Sequence, residues 1–309
     1  MTCSIDEYWD GTSCAACTEG SFSAGGNATT TSCTSCAANE YWDGSACVIN
    51  QIKQALSQGS GPTIWYTTAD ASSVLKGSQG EVTSWKDSTG NGYDISAGSN
   101  DYAPAVETIA TRPNHYVSAV RVGRVSGRSV NAYLRTALSF PALGLAEISQ
   151  PFTVMAVLKI NGINHIDYLM DGYVADTHAI AVDYPENIFP YPTTESYPRW
   201  RGSQSENAQL TGNCGFSDVN AWGVHEWVFS STAGEAAIYK ADGSAPCIET
   251  TDSLLNTESL KGLTIGEWGN LGNIWATADV SYREFLIFSG TLTREESARY
   301  REYLSHIAT

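Results

Sequence analysis

The sequence is poor in lysine and contains no long apolar run. Only six of its 309 residues are lysine, and none of the first 52 residues is lysine or arginine. The net charge is −16, so the surface repels phosphate backbones, which argues against nucleic acid as a partner. No stretch of 18 apolar residues occurs, and we expect no membrane span.

The patterns of common enzymes are missing as well. There is no G-x-S-x-G, no H-E-x-x-H and no phosphate-binding glycine loop. Glycoside hydrolysis needs two carboxylates beside the scissile bond, and no run such as E-x-D-x-x-E supplies them on one strand face. We therefore predict that the protein is not an enzyme, and a glycoside hydrolase remains the enzymatic alternative.

What the sequence does contain is a repeated cysteine motif near its start. The pattern EYWDG-x-x-C occurs at residues 7–14 and again at residues 40–47, 33 residues later. Six of the eight cysteines lie in the first 47 residues, with the spacing C-x10-C-x2-C-x15-C-x2-C-x10-C. This symmetry indicates a little over one period of a small modular repeat.

Two chemistries compete for these six cysteines. The inner C-x2-C-x15-C-x2-C matches a zinc-ribbon spacing. Against zinc, no basic residue balances the thiolates, and a Gly-, Ser- and Thr-rich segment without a core needs covalent bridges. We predict three sequential disulfides among the fifteen possible pairings: Cys3–Cys14, Cys17–Cys33 and Cys36–Cys47.

Disulfides imply an oxidising, extracellular or cell-surface location, as in a secreted protein. Residues 1–3 do not begin a secretory signal, because no basic region or apolar stretch follows them, so we expect any signal peptide outside this sequence. The stretch CTEGSFSAGGNATTTSCTSC (residues 17–36) resembles the cysteine-rich repeats of growth-factor receptors and ephrin receptors. It also holds an N-x-T sequon, which makes Asn27 a candidate glycosylation site and the chain a candidate glycoprotein.

Beyond residue 47 the pattern changes. Val48 or Ile49, with Ile52 and Leu56, has helical spacing, and the segment ends at Gly59–Pro62. Strand-like segments follow. Alternating apolar residues predict a half-buried strand at 152–160, and two apolar faces predict an inner strand at 281–289. Thr293 and Glu296 form a capping box for a C-terminal helix. We predict an arm at 1–47, a short helix and linker at 48–61, and an all-β two-sheet sandwich at 62–309.

Four stretches of the sandwich resemble the laminin-G and concanavalin-like jelly rolls. They are WKDSTGNGYDIS (85–96), residues 127–160, HEWVFSSTAGEAAIYKADG (225–243) and residues 284–305. The resemblance implies two antiparallel sheets, one of them concave, which often bind glycans or proteins and often hold calcium. Asp87, Asn91 and Asp94 are then candidate calcium ligands, and the alternative is that they only shape a turn with Gly90 and Gly92.

Residues 183–216 form an apparent insertion in which aromatic residues alternate with prolines. We predict a contact loop for sugars or proteins, with Tyr191, Tyr197, Arg199 and Trp200 as its binding residues; the alternative is a loop folded back onto its own sheet. The remaining cysteines, Cys214 and Cys247, are predicted to form a bridge across this insertion.

Two functional classes remain. The first is a structural or adhesion protein that assembles with copies of itself into a fibril or surface layer. Its acidic arm would dock on an arginine-rich strip of a neighbouring jelly roll, formed by Arg112, Arg121, Arg124, Arg128 and Arg135. The arm residues for this contact are Tyr8, Trp9, Tyr41 and Trp42. The second is a lectin-like carbohydrate-binding module.

Overall fold

The computed structural model describes residues 2–3, 7–9, 12–17, 21–23, 26–27, 33–37, 40–42, 47–70, 72–98, 103–112, 115–123, 132–162, 166–172, 178–183, 197–202, 221–229, 235–239, 246–251, 259–266 and 279–308. The N-terminal part holds eight short strands: β1 (Thr2–Cys3), β2 (Glu7–Trp9), β3 (Cys14–Ala16), β4 (Ser21–Phe22), β5 (Gly26–Asn27), β6 (Thr34–Ser35), β7 (Glu40–Trp42) and β8 (Cys47–Ile49).

The described residues of the remainder contain two helices, α1 (Gln51–Ser57) and α2 (Arg294–Ala308), and a 3-10 turn at Pro141–Leu143. Its strands are β9 (Ile64–Thr67), β10 (Val74–Lys76), β11 (Val82–Trp85), β12 (Ile95–Ser96), β13 (Ala105–Arg112), β14 (His115–Val122), β15 (Leu134–Arg135), β16 (Phe152–Gly162), β17 (Ile166–Gly172), β18 (His178–Asp183), β19 (Tyr197–Gly202), β20 (Trp222–Phe229), β21 (Glu235–Tyr239), β22 (Pro246–Thr251), β23 (Leu263–Ile265) and β24 (Asp279–Ser289).

These strands form two antiparallel sheets that pack face to face. The front sheet has the order β10-β11-β12-β15-β23-β17-β18-β19. The back sheet has the order β13-β14-β24-β16-β20-β21-β22, and β9 also pairs with β24. The predicted all-β, jelly-roll-like sandwich with a C-terminal helix and a disulfide-rich arm is confirmed.

The main core lies between the two sheets. Trp85, Leu134 and Met170 of the front sheet and Val154 and Phe285 of the back sheet are among its buried members. Strand β24 was predicted to be an inner strand because both of its faces are apolar. It pairs with β16 on one side and with β14 and β9 on the other, which confirms that prediction.

A second apolar cluster covers the outer face of the back sheet. Met155 and Val157 of β16 are fully buried there beneath α1 and α2, with Ile52 and Leu304 as helical partners. The alternation of β16 suggested a half-buried strand, and that prediction is wrong, because the helices exclude water from its second face. The burial of Ile52 also makes α1 part of the sandwich domain and not only a linker.

The helix starts agree in part with their sequence signals. Thr293 Oγ1 accepts a hydrogen bond from the Glu296 N–H, and the Glu296 carboxylate accepts one from the Thr293 N–H, which is the predicted capping box. Helix α1 begins later than predicted, because Val48 and Ile49 extend strand β8. Asn50 caps this helix, and its Oδ1 accepts from the Ile52 N–H.

Candidate binding face

The three N-terminal disulfides have the sequential pairing that the repeat symmetry predicts. The bridges are Cys3–Cys14, Cys17–Cys33 and Cys36–Cys47. The first and third close the same interval of 11 residues and have the same Cα–Cα distance of 5.5 Å. The thiols are therefore consumed by covalent bonds, and the zinc alternative does not apply to them.

Both copies of EYWDG-x-x-C fold into the same β-hairpin. In the first copy Trp9 lies opposite Cys14, and in the second copy Trp42 lies opposite Cys47. Tyr8 and Trp9 are half-buried, and Tyr41 occupies the position equivalent to Tyr8, opposite Val48. The sequence repeat is thus a structural repeat, in which one outer disulfide supports each hairpin.

The turn around Asp87 is built by hydrogen bonds to its carboxylate. Three backbone N–H groups donate to it, those of Trp65, Thr89 and Tyr93, at 3.1, 3.1 and 3.2 Å. Gly90 and Gly92 have φ of +83° and +88°, as the turn-forming alternative predicts. Asp87 thus organises this segment by linking three points of the backbone.

The other two candidate calcium ligands are engaged as well. Asp94 accepts from the Asp87 N–H at 2.9 Å and from Lys86 Nζ at 2.7 Å. Asn91 donates from its amide nitrogen to the Thr63 carbonyl at 3.0 Å. These hydrogen bonds favour the turn-forming interpretation over calcium, because N–H groups already occupy carboxylate oxygens of Asp87 and Asp94 that a hard cation would require.

The predicted aromatic loop is an edge strand in its described part. Tyr197, Arg199 and Trp200 lie in β19, and Tyr191 lies outside the described residues. Trp200 is opposite Ile180, and Ile180 is opposite Met170, a core residue. The prediction of a loop is therefore wrong for residues 197–202, which extend the front sheet. Pro198 is compatible with this position, because an edge strand leaves one side without pairing.

Two further site predictions stay untested. Asn27 lies in β5, whose backbone is described but whose side chains are not. Cys247 lies in β22, and its predicted partner Cys214 lies outside the described residues. The glycosylation of Asn27 and the Cys214–Cys247 bridge therefore remain predictions.

The outer face of the front sheet carries a row of residues that no local sequence motif predicts. Residues directly opposite one another on six adjacent strands form this row: Leu75, Ser84, Ser96, Arg135, Thr264 and Asp171. Their strand neighbours, such as Val74, Trp85 and Met170, face the core. Since side chains alternate between the two faces of a strand, the row lies on the face away from the core.

Exposure differs along this row. Leu75 is 41% exposed, Ser84, Ser96 and Arg135 are half-buried, and Thr264 and Asp171 are buried. The accessible part therefore spans β10, β11, β12 and β15, three strand spacings or roughly 14 Å. Asp171 Oδ1 accepts from the Gly172 N–H at 2.7 Å. We refer to Leu75, Ser84, Ser96 and Arg135 as the polar row.

An aromatic side chain borders the polar row. The Tyr133 ring lies 5.5 Å from the guanidinium carbon of Arg135, a cation–π distance. A Cβ at Gly98 would lie 2.6 Å from the Tyr133 hydroxyl oxygen, so the absence of a side chain at Gly98 makes room for this ring. The face therefore combines an apolar side chain, hydroxyls and a guanidinium that lies over a largely buried aromatic ring.

The buried carboxylates of the back sheet lie on the opposite side of the domain. Glu226 forms a salt bridge with Arg301 of α2 at 2.7 Å and accepts from Ser297 Oγ. Burial nevertheless raises the pKa of Glu226, and it raises the pKa of Glu284 to about 8. Both carboxylates are at most 3% exposed, so neither can reach a substrate in this structure.

Burial also shifts the pKa of the neighbouring histidine. His225 stacks near Trp227, with ring centres 5.7 Å apart, and burial lowers its pKa to about 4. The imidazole is therefore neutral at physiological pH. In the described part of the chain, no group of three or more His, Cys, Asp or Glu side chains has an arrangement that would hold a metal ion, and no helix is long and apolar enough to cross a bilayer.

Comparison with known proteins gives structural matches but no sequence matches. No protein-family model and no curated protein sequence matches this chain. An arabinofuranosidase complexed with arabinofuranosyl-α-1,2-xylobiose aligns with a TM-score of 0.54 at 10% identity over 83% of this chain and 65% of that chain. A GH54 α-L-arabinofuranosidase soaked with a cyclic sulfate inhibitor aligns with a TM-score of 0.52 at 9% identity over the same shares.

A weaker match is the Trypanosoma rangeli sialidase in complex with sialic acid. Its TM-score is 0.48 at 14% identity, over 81% of this chain and 35% of that chain. The present chain spans less than two thirds of the length of the arabinofuranosidases. At these identities the arabinofuranosidases support the sandwich fold alone, because one fold serves many activities.

Proposed function

We propose that the protein is a non-enzymatic, lectin-like carbohydrate-binding protein of the cell surface or extracellular space, in which the disulfide-rich arm is a spacer. We also propose that its sandwich is of the laminin-G and concanavalin-like type. The three disulfides are consistent with the location, because such bonds persist in oxidising surroundings. The described part of the N-terminal arm supplies two β-hairpins, each joined to a disulfide.

The observation that carries the proposal is the difference between the two outer faces of the sandwich. Helices α1 and α2 cover the back sheet with apolar side chains. In the described part of the chain no helix covers the front sheet, which presents the polar row. Hydroxyls and a guanidinium bind sugar hydroxyls by hydrogen bonds, and the exposed Leu75 offers surface to the apolar face of a sugar ring.

The chemistry of this face favours binding over hydrolysis. A glycoside hydrolase needs two carboxyl groups about 5 to 10 Å apart around the scissile bond. The described front face has one carboxylate in register with the polar row, Asp171, and that side chain is fully buried. The arabinofuranosidase that shares the fold was crystallised with a saccharide, which supports sugar as the ligand class for such a sandwich.

A glycan array probed with the fluorescently labelled protein tests the proposal. We expect binding to a defined set of saccharides, and we expect Ser96→Val to weaken it at least several-fold. Valine is compatible with a strand and replaces the hydroxyl by an apolar branch. Ser289→Val, at the exposed end of β24 in the back sheet, is the matched control and should bind like the wild type. An array without signal, or equal binding by both variants, would refute the proposal.

A second candidate is the structural or adhesion subunit that assembles with copies of itself. The observation in its favour is the repeated hairpin, which places the half-buried Tyr8 and Trp9 on a disulfide-supported frame. Light scattering and electron microscopy of the purified protein test it. Concentration-dependent oligomers or filaments that Trp9→Ala abolishes would support assembly, and a monomer at all concentrations would exclude it.

A further inference from the structure

Arg135 differs from Arg121 and Arg301, two other buried or half-buried arginines of the described residues. Arg121 pairs with Asp279 at 2.8 Å, and Arg301 pairs with Glu226 at 2.7 Å. Arg283 donates to the carbonyl of Ile307. Arg135 contacts the Tyr133 ring, and among the described residues it has no carboxylate partner. Acidic residues outnumber basic ones by 33 to 17 in this chain, so a guanidinium without a carboxylate partner needs an explanation.

The position of Arg135 supplies that explanation. The residue lies on β15, inside the front sheet, and its flanking row members are Ser96 on β12 and Thr264 on β23. A guanidinium fixed over an aromatic ring keeps its planar fork of N–H donors in one orientation. That fork is suited to two parallel hydrogen bonds with a carboxylate or a sulfate.

The charge around the polar row limits the size of the anion. Asp171 is fully buried two strands away, so Arg135 is the accessible charge of the row. The whole chain carries a net charge of −16 and repels long polyanions. A saccharide with one anionic group on one of its sugars avoids most of that repulsion and still satisfies the guanidinium. The roughly 14 Å of accessible row has room for two or three sugar units.

We propose that the polar row binds a short saccharide with a single anionic group, a carboxylate or a sulfate, which Arg135 recognises. This inference rests on the proposed carbohydrate-binding function and names the ligand class of the same face. The anionic group forms two hydrogen bonds with the guanidinium, and Ser96 and Ser84 contact neighbouring sugar hydroxyls. Leu75 marks the far, apolar end of the site.

Calorimetric titration with three matched disaccharides tests the inference. The first ends in glucuronate, the second has glucose in its place and the third has glucose 6-sulfate. We expect the wild type to bind the glucuronate or the sulfate form about tenfold or more tightly than the glucose form, as expected of a charge-assisted contact. The better of the two anionic forms identifies the anion.

Two variants and a control separate the possible results. Arg135→Gln should reduce the preference for the anionic form to within about threefold, and Arg135→Lys should keep part of the preference. Arg299→Gln removes the same charge from the exposed side of α2 and should change neither affinity. Thermal unfolding of each variant shows that it is folded.

The outcomes distinguish this inference from the function on which it rests. Equal binding of all three disaccharides, or a preference that survives Arg135→Gln, would overturn the inference and leave the carbohydrate-binding proposal standing. No binding of any disaccharide at millimolar concentration overturns the inference. Together with an array without signal, that result would also overturn the proposed function.

Discussion

The side chain of Asn50 donates a hydrogen bond from Nδ2 to the hydroxyl oxygen of Tyr303, 3.0 Å away and 253 residues later in the chain. Its Oδ1 accepts from the N–H groups of Ile52 and Lys53 at the start of α1. One buried amide therefore caps the first helix and joins it to the last. Cys47, the end of the third disulfide, is only three residues away.

Substitutions at Asn50 should separate these two roles. Asn50→Ser keeps an oxygen for the cap and loses the bond to Tyr303, so we expect a loss of about 1 kcal/mol in the free energy of unfolding. Asn50→Ala loses both and should cost about 2 kcal/mol. Urea denaturation measures both values, and Tyr303→Phe should match Asn50→Ser. Equal stabilities of the serine and alanine variants would contradict the double role.

Glu284 should make the domain less stable as the pH rises. Burial raises its pKa to about 8 from an ordinary value of 4.5, although hydrogen bonds from Thr67 and Trp65 favour the ionised form. The folded protein therefore keeps a proton that the unfolded chain releases. This contribution to stability is fully present below pH 4.5 and is lost as the pH rises through about 8.

Glu284→Gln should remove most of this pH dependence, because glutamine is neutral and can still accept from Trp65 Nε1. We expect the variant to gain about 2 to 4 kcal/mol relative to the wild type between pH 5 and pH 8.5 in urea denaturation. Glu302→Gln, on the exposed side of α2, is the control and should keep the wild-type slope. Parallel curves for Glu284→Gln and the wild type would show that the buried carboxyl does not titrate as described.

Gly266 marks a close approach between the two sheets. Its φ is +85°, and a Cβ there would lie 2.6 Å from Cβ and Cγ2 of Val122. Gly80 has a similar φ of +80° and no atom within 4 Å of the same position. Gly80→Ala should therefore cost about 1 kcal/mol from backbone strain, and Gly266→Ala about 2 to 4 kcal/mol from strain and overlap. Thermal unfolding compares them, and equal losses would exclude the overlap.

The predicted Cys214–Cys247 bridge can be tested by peptide mapping. Trypsin cuts after Arg201, Lys240 and Lys261, so these cysteines fall in peptides 202–240 and 241–261. We expect the two peptides to run as one linked species in mass spectrometry until a reductant separates them. Peptide 1–53 holds the other six cysteines and is the internal control, because its three bridges make it six hydrogens lighter than the reduced form. A free thiol at Cys214 would refute the bridge.

Local patterns in the sequence predicted the elements whose cause is local. The Thr293–Glu296 capping box, the two EYW hairpins and the disulfide pairing each depend on residues that are near one another in the chain. The alternation of apolar residues in β16 predicted a strand buried on one face only, because such a pattern describes only one face of the sheet. The cover over its second face comes from α1 and α2, which are distant in sequence.

The polar row was missed for the same physical reason. Each strand contributes one residue to it, and the strand register alone brings Ser84, Ser96 and Arg135 together. Arg135 was noted only as part of an arginine-rich strip. In the structure Arg121, another member of that strip, lies on the back sheet in a salt bridge with Asp279, so the strip is not one continuous surface.

The attachment point of the arm determines which side of the sandwich faces the solution in a tethered molecule. Helix α1 lies on the outer side of the back sheet, and the third disulfide-linked hairpin ends just before it. A molecule tethered through its first 47 residues would therefore turn the polar row away from the tether. Immobilisation by the N-terminus would leave the polar row facing the solution, where a ligand can reach it.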